Sequence, residues 1–311
     1  MVGFLGFIVI LLIIASYYYE KDPVQITRQE KQSQSSPSQD ITREESKPSQ
    51  RESPSRQEEE VRVETRERNP RVPEIKEVDE YYFTNSFDFS WPAYEVGDLI
   101  VEHEGFALSY DEKNEQASWV AYKLEKKNLD NARFKRKDNF REDPLVRTGS
   151  ATPADYRKSG YDRGHLAPAA DFTWSEKALD HTFYMSNMSP QDPGFNRGIW
   201  KKLEEQVRDW ARENNVVYVV TGPIIEKRKE RIGANKVTVP QYYYKAILDI
   251  QEPELKAIGF VMENKKSGED IMESAVTIDR IEAMTGLDLF PSLPDEMETR
   301  LEKSVNESLW K

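Results

Sequence analysis

The feature that most limits what this chain can fold into is a long charged segment near its N terminus. Residues 20–79 contain no Leu, Met or aromatic side chain, and they mix Lys, Arg and Glu with Ser, Pro and Gln. Such a segment buries too little apolar surface to offset the entropy lost on ordering, so it is predicted to be a disordered linker. The folded domain is therefore expected in residues 80–311, where aromatic and aliphatic clusters return and the length suits one domain.

Residues 1–19 form a different kind of segment, an apolar run without charged side chains that ends in three tyrosines. An uninterrupted apolar length near 20 residues, followed by interfacial aromatics, predicts a transmembrane anchor. A cleaved or uncleaved signal peptide is the alternative, because small residues at positions 15 and 16 would suit a peptidase. The basic region that begins such peptides is missing, which favours the anchor.

Charge and cysteine content exclude several classes of site. The chain has no cysteine, which removes disulfides, thiolate nucleophiles and cysteine-based zinc sites. Its net charge of −12 argues against a generally basic, polyanion-binding surface. Residues 133–163 nevertheless contain nine Lys and Arg against five Asp and Glu. A local basic patch of this kind suits contacts with phosphates that do not depend on sequence.

Short clusters of Val, Ile and Tyr predict the main strands of the domain. They occupy residues 118–127, 216–225, 242–250 and 256–263. Residues 196–214 instead carry an apolar stripe at spacings of three and four, which predicts a helix. Strands and helices do not alternate regularly, so the expected fold class is α+β, with a mixed or antiparallel sheet and flanking helices. The side chains of residues 242–244 are expected on alternate faces of a strand, and Trp200 and Trp210 in the core.

The sequence YDRGHLAP at 161–168 contains His165, one of three histidines in the chain. The preceding glycine permits close backbone approach and the following proline discourages a helix, so His165 is expected at a strand end or in a loop. A histidine beside Arg163 suits a base next to an anion-binding group. For this short motif alone, a structural histidine in a tight turn is the alternative. His103 and His181 match no ligand spacing and are expected to be structural or exposed.

Three polar residues downstream strengthen the catalytic interpretation: Asn187 in SNMSPQ, and Asn196 and Glu204 in NRGIWKKLE. In a regular helix, Asn196 and Glu204 would lie about 12 Å apart along the axis and about 80° apart around it. Glu204 is therefore expected to reach a metal-bound water more readily than the metal itself. One neutral amide with several waters suits magnesium better than zinc.

These motifs, in this order, resemble those of the DNA/RNA non-specific endonucleases, the branch of the ββα-metal nucleases that includes mitochondrial endonuclease G. The resemblance covers most of residues 115–295, through blocks such as RKDNFREDP, VVTGPI and IEAMTGLDLFPSLP, and it does not cover the anchor or the linker. It implies a ββα-metal motif, hydrolysis of phosphodiester bonds in DNA and RNA, and 5′-phosphate products.

The resemblance also implies a role for each matching residue. His165 would be the general base, and Asn196 the direct protein ligand of Mg²⁺, with Mn²⁺ as a candidate substitute. Glu204 would hold a metal-bound water. The remaining residues would bind or orient: Arg163 and Arg136 contact the phosphate, Asn187 positions substrate or the catalytic water, and Asp162 orients its neighbours.

Two other functions are compatible with these motifs: a catalytically silent nucleic-acid-binding or scaffold protein of the same fold, and a phosphodiesterase for small diesters. The expected partners are DNA and RNA, the membrane through residues 1–19 and, as further candidates, a second copy of the chain and an inhibitor protein. Lys21, Arg28 and Lys31 follow the apolar run, which by the positive-inside rule favours a cytosolic domain. An unrestrained nuclease would damage the genome, so we expect a membrane-anchored protein with an extracytoplasmic domain.

Overall fold

The computed structural model describes residues 91–226 and 230–310. The predicted anchor at 1–19 and the predicted linker at 20–79 lie outside these residues, as does the start of the predicted domain. No helix in the described part of the chain has both the length and the apolar character needed to cross a membrane.

Eleven strands occur in the described residues: β1 (Leu99–His103), β2 (Phe106–Asp111), β3 (Gln116–Glu125), β4 (Asp162–His165), β5 (Met188–Gln191), β6 (Val216–Ile224), β7 (Arg231–Ile232), β8 (Val237–Thr238), β9 (Tyr242–Asp249), β10 (Lys256–Glu263) and β11 (Ala275–Val276). Seven of them form one antiparallel sheet in the order β1–β2–β3–β6–β9–β10–β11. The four predicted strands are confirmed as β3, β6, β9 and β10, with ends that differ by no more than two residues.

The helices are α1 (Lys126–Leu129), α2 (Glu176–His181), α3 (Pro193–Phe195), α4 (Lys201–Glu213), α5 (Ile278–Thr285) and α6 (Asp295–Glu302). The apolar stripe of α4 packs on one face of the large sheet, in a core that includes Val207 and Phe260. Helices α5 and α6 pack on the opposite face, where Ile281 and Leu301 join a second core. Every residue of β6 is buried, as expected of a strand covered on both faces. The predicted α+β class with an antiparallel sheet and flanking helices is therefore confirmed.

The aromatic residues of β9 and α4 occupy the positions expected from their spacing. Tyr243 belongs to the core beneath α4 and Tyr244 to the core beneath α5, which confirms that successive tyrosines point to opposite faces. Trp200 and Trp210 are fully buried in the first of these cores, so the prediction that they are core residues is confirmed.

The predicted helix over 196–214 differs from a regular helix in its first turn. Residues Asn196–Trp200 form a widened π-helical turn, and Gly198 within it has φ −107° and ψ −112°, outside the helical region. Helix α4 begins only after this turn. The prediction of one regular helix was therefore wrong at its start, and the angle of about 80° between Asn196 and Glu204 does not apply. Interruptions of this kind occur frequently at functional sites.

Strands β4 and β5 form a separate antiparallel pair that leads into this helix. The pairing joins Asp162 to Gln191 and His165 to Met188. A Cβ atom on Gly164 would lie 2.1 Å from Cδ of Gln191, so only glycine fits beneath this buried side chain. His165 is the last residue of β4, which confirms the expected position at a strand end. Two strands followed by a helix is the arrangement that the resemblance implied.

Candidate active site

A cavity of about 420 Å³ lies where β4, the π-helical turn and α4 meet. Its charged, polar and histidine lining comprises Arg136, Arg163, His165, Asn196, Arg197, Lys201, Glu204 and Arg208. A second cavity of about 300 Å³ shares Arg136, Arg163 and Asn196 and adds Asp162. Six of the seven residues singled out in the sequence thus line these two cavities, and Asn187 lines neither.

The His165 ring is half-buried between two phenylalanines. Its centroid lies 5.7 Å from that of Phe140 and 5.1 Å from that of Phe183. Its Nε2 is buried and has no hydrogen-bond partner in the part of the chain that the structure describes. Burial, together with the positive charges of Arg136 and Arg163, lowers the pKa of His165 from 6.5 to about 3. The imidazole is therefore neutral near pH 7 and able to accept a proton.

The two arginines lie on the same phenylalanines. The Arg163 guanidinium is 4.0 Å from the centroid of Phe140, and the Arg136 guanidinium is 5.4 Å from that of Phe183. Stacking of this type holds a guanidinium in place beside a bound anion. Arg136 is also held by Asp138, whose Oδ1 lies 2.6 Å from both its Nε and its Nη2. Phe140 and Phe183 were not identified from the sequence, although Phe140 lies in the RKDNF block and Phe183 has no local signal.

Asp162 fixes the orientation of the Asn196 amide. The Nδ2 of Asn196 donates to Oδ2 of Asp162 at 3.0 Å. Arg197 donates to the same carboxylate from Nε at 2.8 Å and from Nη2 at 2.6 Å. Because a carboxylate only accepts, the Asn196 nitrogen must face it, and Oδ1 is left without a hydrogen-bond partner among the described residues. A free amide oxygen beside a cavity is a suitable ligand for a hard cation.

Glu204 contributes a second oxygen donor to the larger cavity. Burial raises the pKa of its carboxyl group, and the positive charge of Lys245 opposes that rise. Lys245 is fully buried on β9, with Nζ 4.8 Å from the centroid of the Trp200 ring. No described residue forms a hydrogen bond with this Nζ. Burial lowers the pKa of Lys245, and the charge of Glu204 opposes this change. The two groups therefore stabilise one another's charged forms.

A buried ion pair between Arg208 and Asp171 lies beside Glu204. Arg208 Nη1 donates to Asp171 Oδ1 at 2.8 Å, and the Tyr122 hydroxyl donates to Oδ2 of the same residue at 3.1 Å. Burial raises the pKa of Asp171, and the Arg208 charge opposes that shift. Arg208 was missed in the sequence, although it follows Glu204 by one helical turn and so shares its face of α4. Lys245 was also not identified, although a lysine in the middle of a buried strand pattern was a signal for it.

Asn187 holds the backbone of the site together. Its Oδ1 accepts from the backbone N–H of Ala167 at 2.8 Å, and its Nδ2 donates to the carbonyls of Ala167 and Thr182. The side chain is fully buried, so its polar atoms are turned away from both cavities. The structure thus places Asn187 behind His165, where it fixes the chain that follows β4.

The remaining histidines lie outside the cavities. His103 is buried and its Nε2 lies 2.9 Å from Oδ2 of Asp143. His181 is half-buried, and its Nδ1 accepts from the backbone N–H of Glu104 at 3.4 Å. Both therefore occupy structural positions, in agreement with the sequence-based expectation.

The sequence of this chain matches the model of the DNA/RNA non-specific endonuclease family over residues 91–296. The chain belongs to this family. Mitochondrial endonuclease G of Homo sapiens is 39% identical over 208 residues, which cover 62% of this chain and 70% of that protein. A nuclease of Nostoc sp. is 34% identical and covers 67% of this chain and 78% of its own length. A solved structure of the EndoG/EndoGI complex has a TM-score of 0.61 and 34% identity, covering 66% of this chain and 90% of that one.

Membership makes this endonuclease a hydrolase that cleaves nucleic acid, and the charge of its cavity agrees with that activity. Five Lys and Arg side chains line the larger cavity, against the single carboxyl group of Glu204. The basic surface predicted from residues 133–163 therefore reaches the site through Arg136 and Arg163, although the net charge of the chain is −12. Such a site attracts a polyanion by local charge.

Proposed function

We propose that this endonuclease hydrolyses phosphodiester bonds of DNA and RNA without sequence preference, in a magnesium-dependent reaction with His165 as the general base. The proposal depends on one observation: a neutral imidazole, a free amide oxygen and five basic side chains share one cavity. Contacts from Lys and Arg to phosphates carry no sequence information, which agrees with cleavage at any sequence.

The residues of the cavity have different roles in hydrolysis. A neutral His165 takes the proton from the attacking water. Arg163 and Arg136, held on their phenylalanines, bind the non-bridging oxygens of the phosphate and stabilise the negative charge that increases in the transition state. Asp162 keeps the Oδ1 of Asn196 directed away from its own carboxylate. By resemblance to the family, cleavage leaves a 5′-phosphate and a 3′-hydroxyl group.

The oxygen donors of the site suit magnesium. Asn196 would hold the ion through Oδ1, and Glu204 would bind one of the waters of the ion, because its half-buried carboxyl group lacks a hydrogen-bond partner among the described residues. When bound, a divalent cation supplies charge stabilisation at the phosphate and a water acidic enough to protonate the departing oxygen. Asp162 orients the Asn196 amide, and the charge of Lys245 favours the ionised form of Glu204 against the effect of burial.

Digestion of plasmid DNA and of RNA tests the proposal directly. His165→Ala should lower the rate by about 10²–10⁴-fold, and a chelator should abolish cleavage by the unchanged protein. His181→Ala is the matched control, because it removes another half-buried imidazole from a position outside both cavities. Cleavage by His165→Ala at the unchanged rate would refute the proposed base.

The same assay separates the two alternatives. Binding of nucleic acid without cleavage in Mg²⁺ and Mn²⁺ would support a catalytically silent protein. Cleavage of small diesters but not of polymers would support a narrower phosphodiesterase. An intact set of cavity residues favours the endonuclease over both.

We propose further that residues 1–19 anchor the chain in a membrane and that residues 80–311 are the extracytoplasmic nuclease domain, joined by the linker at 20–79. Protection of the domain from added protease in intact cells would contradict this topology. A homodimer and an inhibitor protein are proposed as further partners. The inhibitor protein is proposed because EndoG forms a complex with EndoGI. Sedimentation of the pure chain tests whether it is a homodimer.

A further inference from the structure

A group of carboxylates on the opposite face of the sheet from α4 has no part in the proposed reaction. Asp279 and Glu282 lie on α5, and Glu302 is the last residue of α6. Each offers one carboxylate oxygen, and the three oxygens lie within 4.8 Å of one another. None of these residues lines either catalytic cavity. Glu302 also lies beyond residues 91–296, which match the family.

Glu302 is the unusual member of this group because it is buried. Only 7% of its surface is exposed, and its buried Oε1 has no hydrogen-bond partner within residues 91–226 and 230–310. A buried carboxylate oxygen without a donor is costly, since it has lost its hydration and gained nothing in exchange. Its position in the last turn of α6 adds to the cost, because the carbonyl end of a helix carries partial negative charge.

Neighbouring negative charges make the burial of the Glu302 carboxylate still less favourable. None of the three residues forms an ion pair with Lys or Arg within 4.0 Å among the described residues. The Oε1 of Glu282 accepts the backbone N–H of Leu289 at 2.7 Å, which satisfies only one oxygen of the group. Glu298 lies one helical turn before Glu302 on α6 and adds a further negative charge to this region. The site therefore carries an excess of negative charge that a proton or a cation would relieve.

We propose that Asp279, Glu282 and Glu302 bind one calcium ion that ties α5 to the end of α6. Oxygens on opposite sides of Ca²⁺ are up to about 5 Å apart, because Ca–O distances are about 2.3–2.6 Å. The corresponding limit for Mg²⁺ is about 4.2 Å, from Mg–O distances of about 2.0–2.1 Å. The three oxygens lie within 4.8 Å of one another, which is inside the calcium limit. Calcium also accepts irregular arrangements of carboxylates, whereas magnesium requires a near-ideal octahedron and keeps several of its waters.

Bound calcium would act on the packing of two helices that already share a core. Ile281 of α5 and Leu301 of α6 are buried in the same apolar cluster. An ion that joins Glu302 to Asp279 and Glu282 therefore stabilises the folded state without contacting the cavity around His165. Protein sites with few carboxylates bind Ca²⁺ with dissociation constants of about 10⁻⁴–10⁻³ M.

Thermal unfolding of the full chain with and without calcium tests the proposal. At a Ca²⁺ concentration about tenfold above the dissociation constant, Tm should rise by about 3–6 °C. The same concentration of Mg²⁺ should raise it less. Glu302→Gln keeps the size of the side chain but removes its charge, so it should abolish the calcium-dependent shift. Glu296→Gln is the matched control, because Glu296 is an exposed acid in the first turn of the same helix.

Three results would overturn the proposal. They are the absence of a calcium shift in the unchanged chain, an equal shift in Glu302→Gln, and an equal response to Mg²⁺ and Ca²⁺. If Glu302→Gln does not fold, the exposed Asp279→Asn variant decides, because it should weaken calcium binding measured by titration calorimetry at least fivefold. Nuclease activity in Mg²⁺ should be the same for Asp279→Asn and the unchanged chain, so failure of the calcium site and failure of the proposed nuclease mechanism remain distinguishable.

Discussion

Replacing Asp162 with Asn tests how the site orients Asn196, the proposed metal ligand. In the present structure the Asp162 carboxylate accepts Nδ2 of Asn196 at 3.0 Å, which leaves Oδ1 free. An amide at position 162 has a donor of its own, and that donor can bind Oδ1 of Asn196 and compete with the cation. The substitution changes neither the size of the side chain nor the residue that would hold the metal.

The size of the effect follows from the contact that is lost. A hydrogen bond to a charged group contributes about 1.5–3 kcal/mol, and partners that orient metal ligands are worth about 10–100-fold in metal affinity. We therefore expect the Mg²⁺ concentration for half-maximal cleavage to rise by about 10–100-fold in Asp162→Asn. Cleavage of saturating plasmid DNA, measured over a wide range of Mg²⁺ concentration, gives this value. The rate at saturating Mg²⁺ should change far less.

Arg197→Ala is the control for this experiment. The Arg197 side chain is 72% exposed and is the other partner of Asp162. Its removal leaves the contact between Asp162 and Asn196 intact. Exposed ion pairs contribute about 1 kcal/mol or less, so half-saturation should move by less than about fivefold. Equal shifts in both variants, or an unchanged value in Asp162→Asn, would refute the idea that Asp162 acts by orienting the amide.

Three further predictions concern charge in the cavity. Burial raises the pKa of Glu204, and a cation favours its ionised form, so the affinity for Mg²⁺ should increase between about pH 6 and about pH 8.5. Calorimetry in two buffers should show that protons are released on binding. An affinity that does not depend on pH would contradict this prediction. Lys245→Met removes the positive charge that opposes the raised pKa of Glu204, so the increase in Mg²⁺ affinity should occur at higher pH while thermal unfolding stays cooperative. The same pH dependence in Lys245→Met and the unchanged chain would show that Lys245 does not affect Glu204. The pKa of His165 is about 3 in the free enzyme and should rise when phosphate offsets the arginines, so the acid limb of kcat should lie at higher pH than that of kcat/KM. Coincident limbs would show that substrate leaves the imidazole unperturbed.

Much of the fold was accessible from the sequence because its signals are local. Runs of Val, Ile and Tyr identify β3, β6, β9 and β10, since strands buried on both faces must be apolar throughout. The edge strand β1 and its neighbour β2 were not predicted. Charged residues interrupt the apolar pattern of β1, and β2 is a short run with Ser109 in its middle. The π-helical turn was also missed, because the apolar stripe continues at helical spacing through Gly198 and hides the interruption.

The part of the site that the sequence identified consists of residues in short motifs. His165, Asn196 and Glu204 could be found because the resemblance carries them in contiguous blocks. Phe183 and Lys245 could not be found in this way, because each reaches the site only through tertiary packing. Phe183 follows α2, and Lys245 lies on β9. The same limit applies to Asn187, whose motif was recognised although its side chain turns toward the backbone of Ala167 and Thr182.

The position of the imidazole explains why these unpredicted residues matter. A histidine between two arginines is a weak base in the free enzyme, because their charges and its burial disfavour the imidazolium ion. A bound phosphodiester brings negative charge to the same two arginines, and the protonated ring then has a counterion. Phe140 and Phe183 hold ring and guanidinium groups against one another, so the three groups have to respond together. If His165 is the general base, as we propose, it gains strength when the substrate is in place, and proton transfer is restricted to the occupied site.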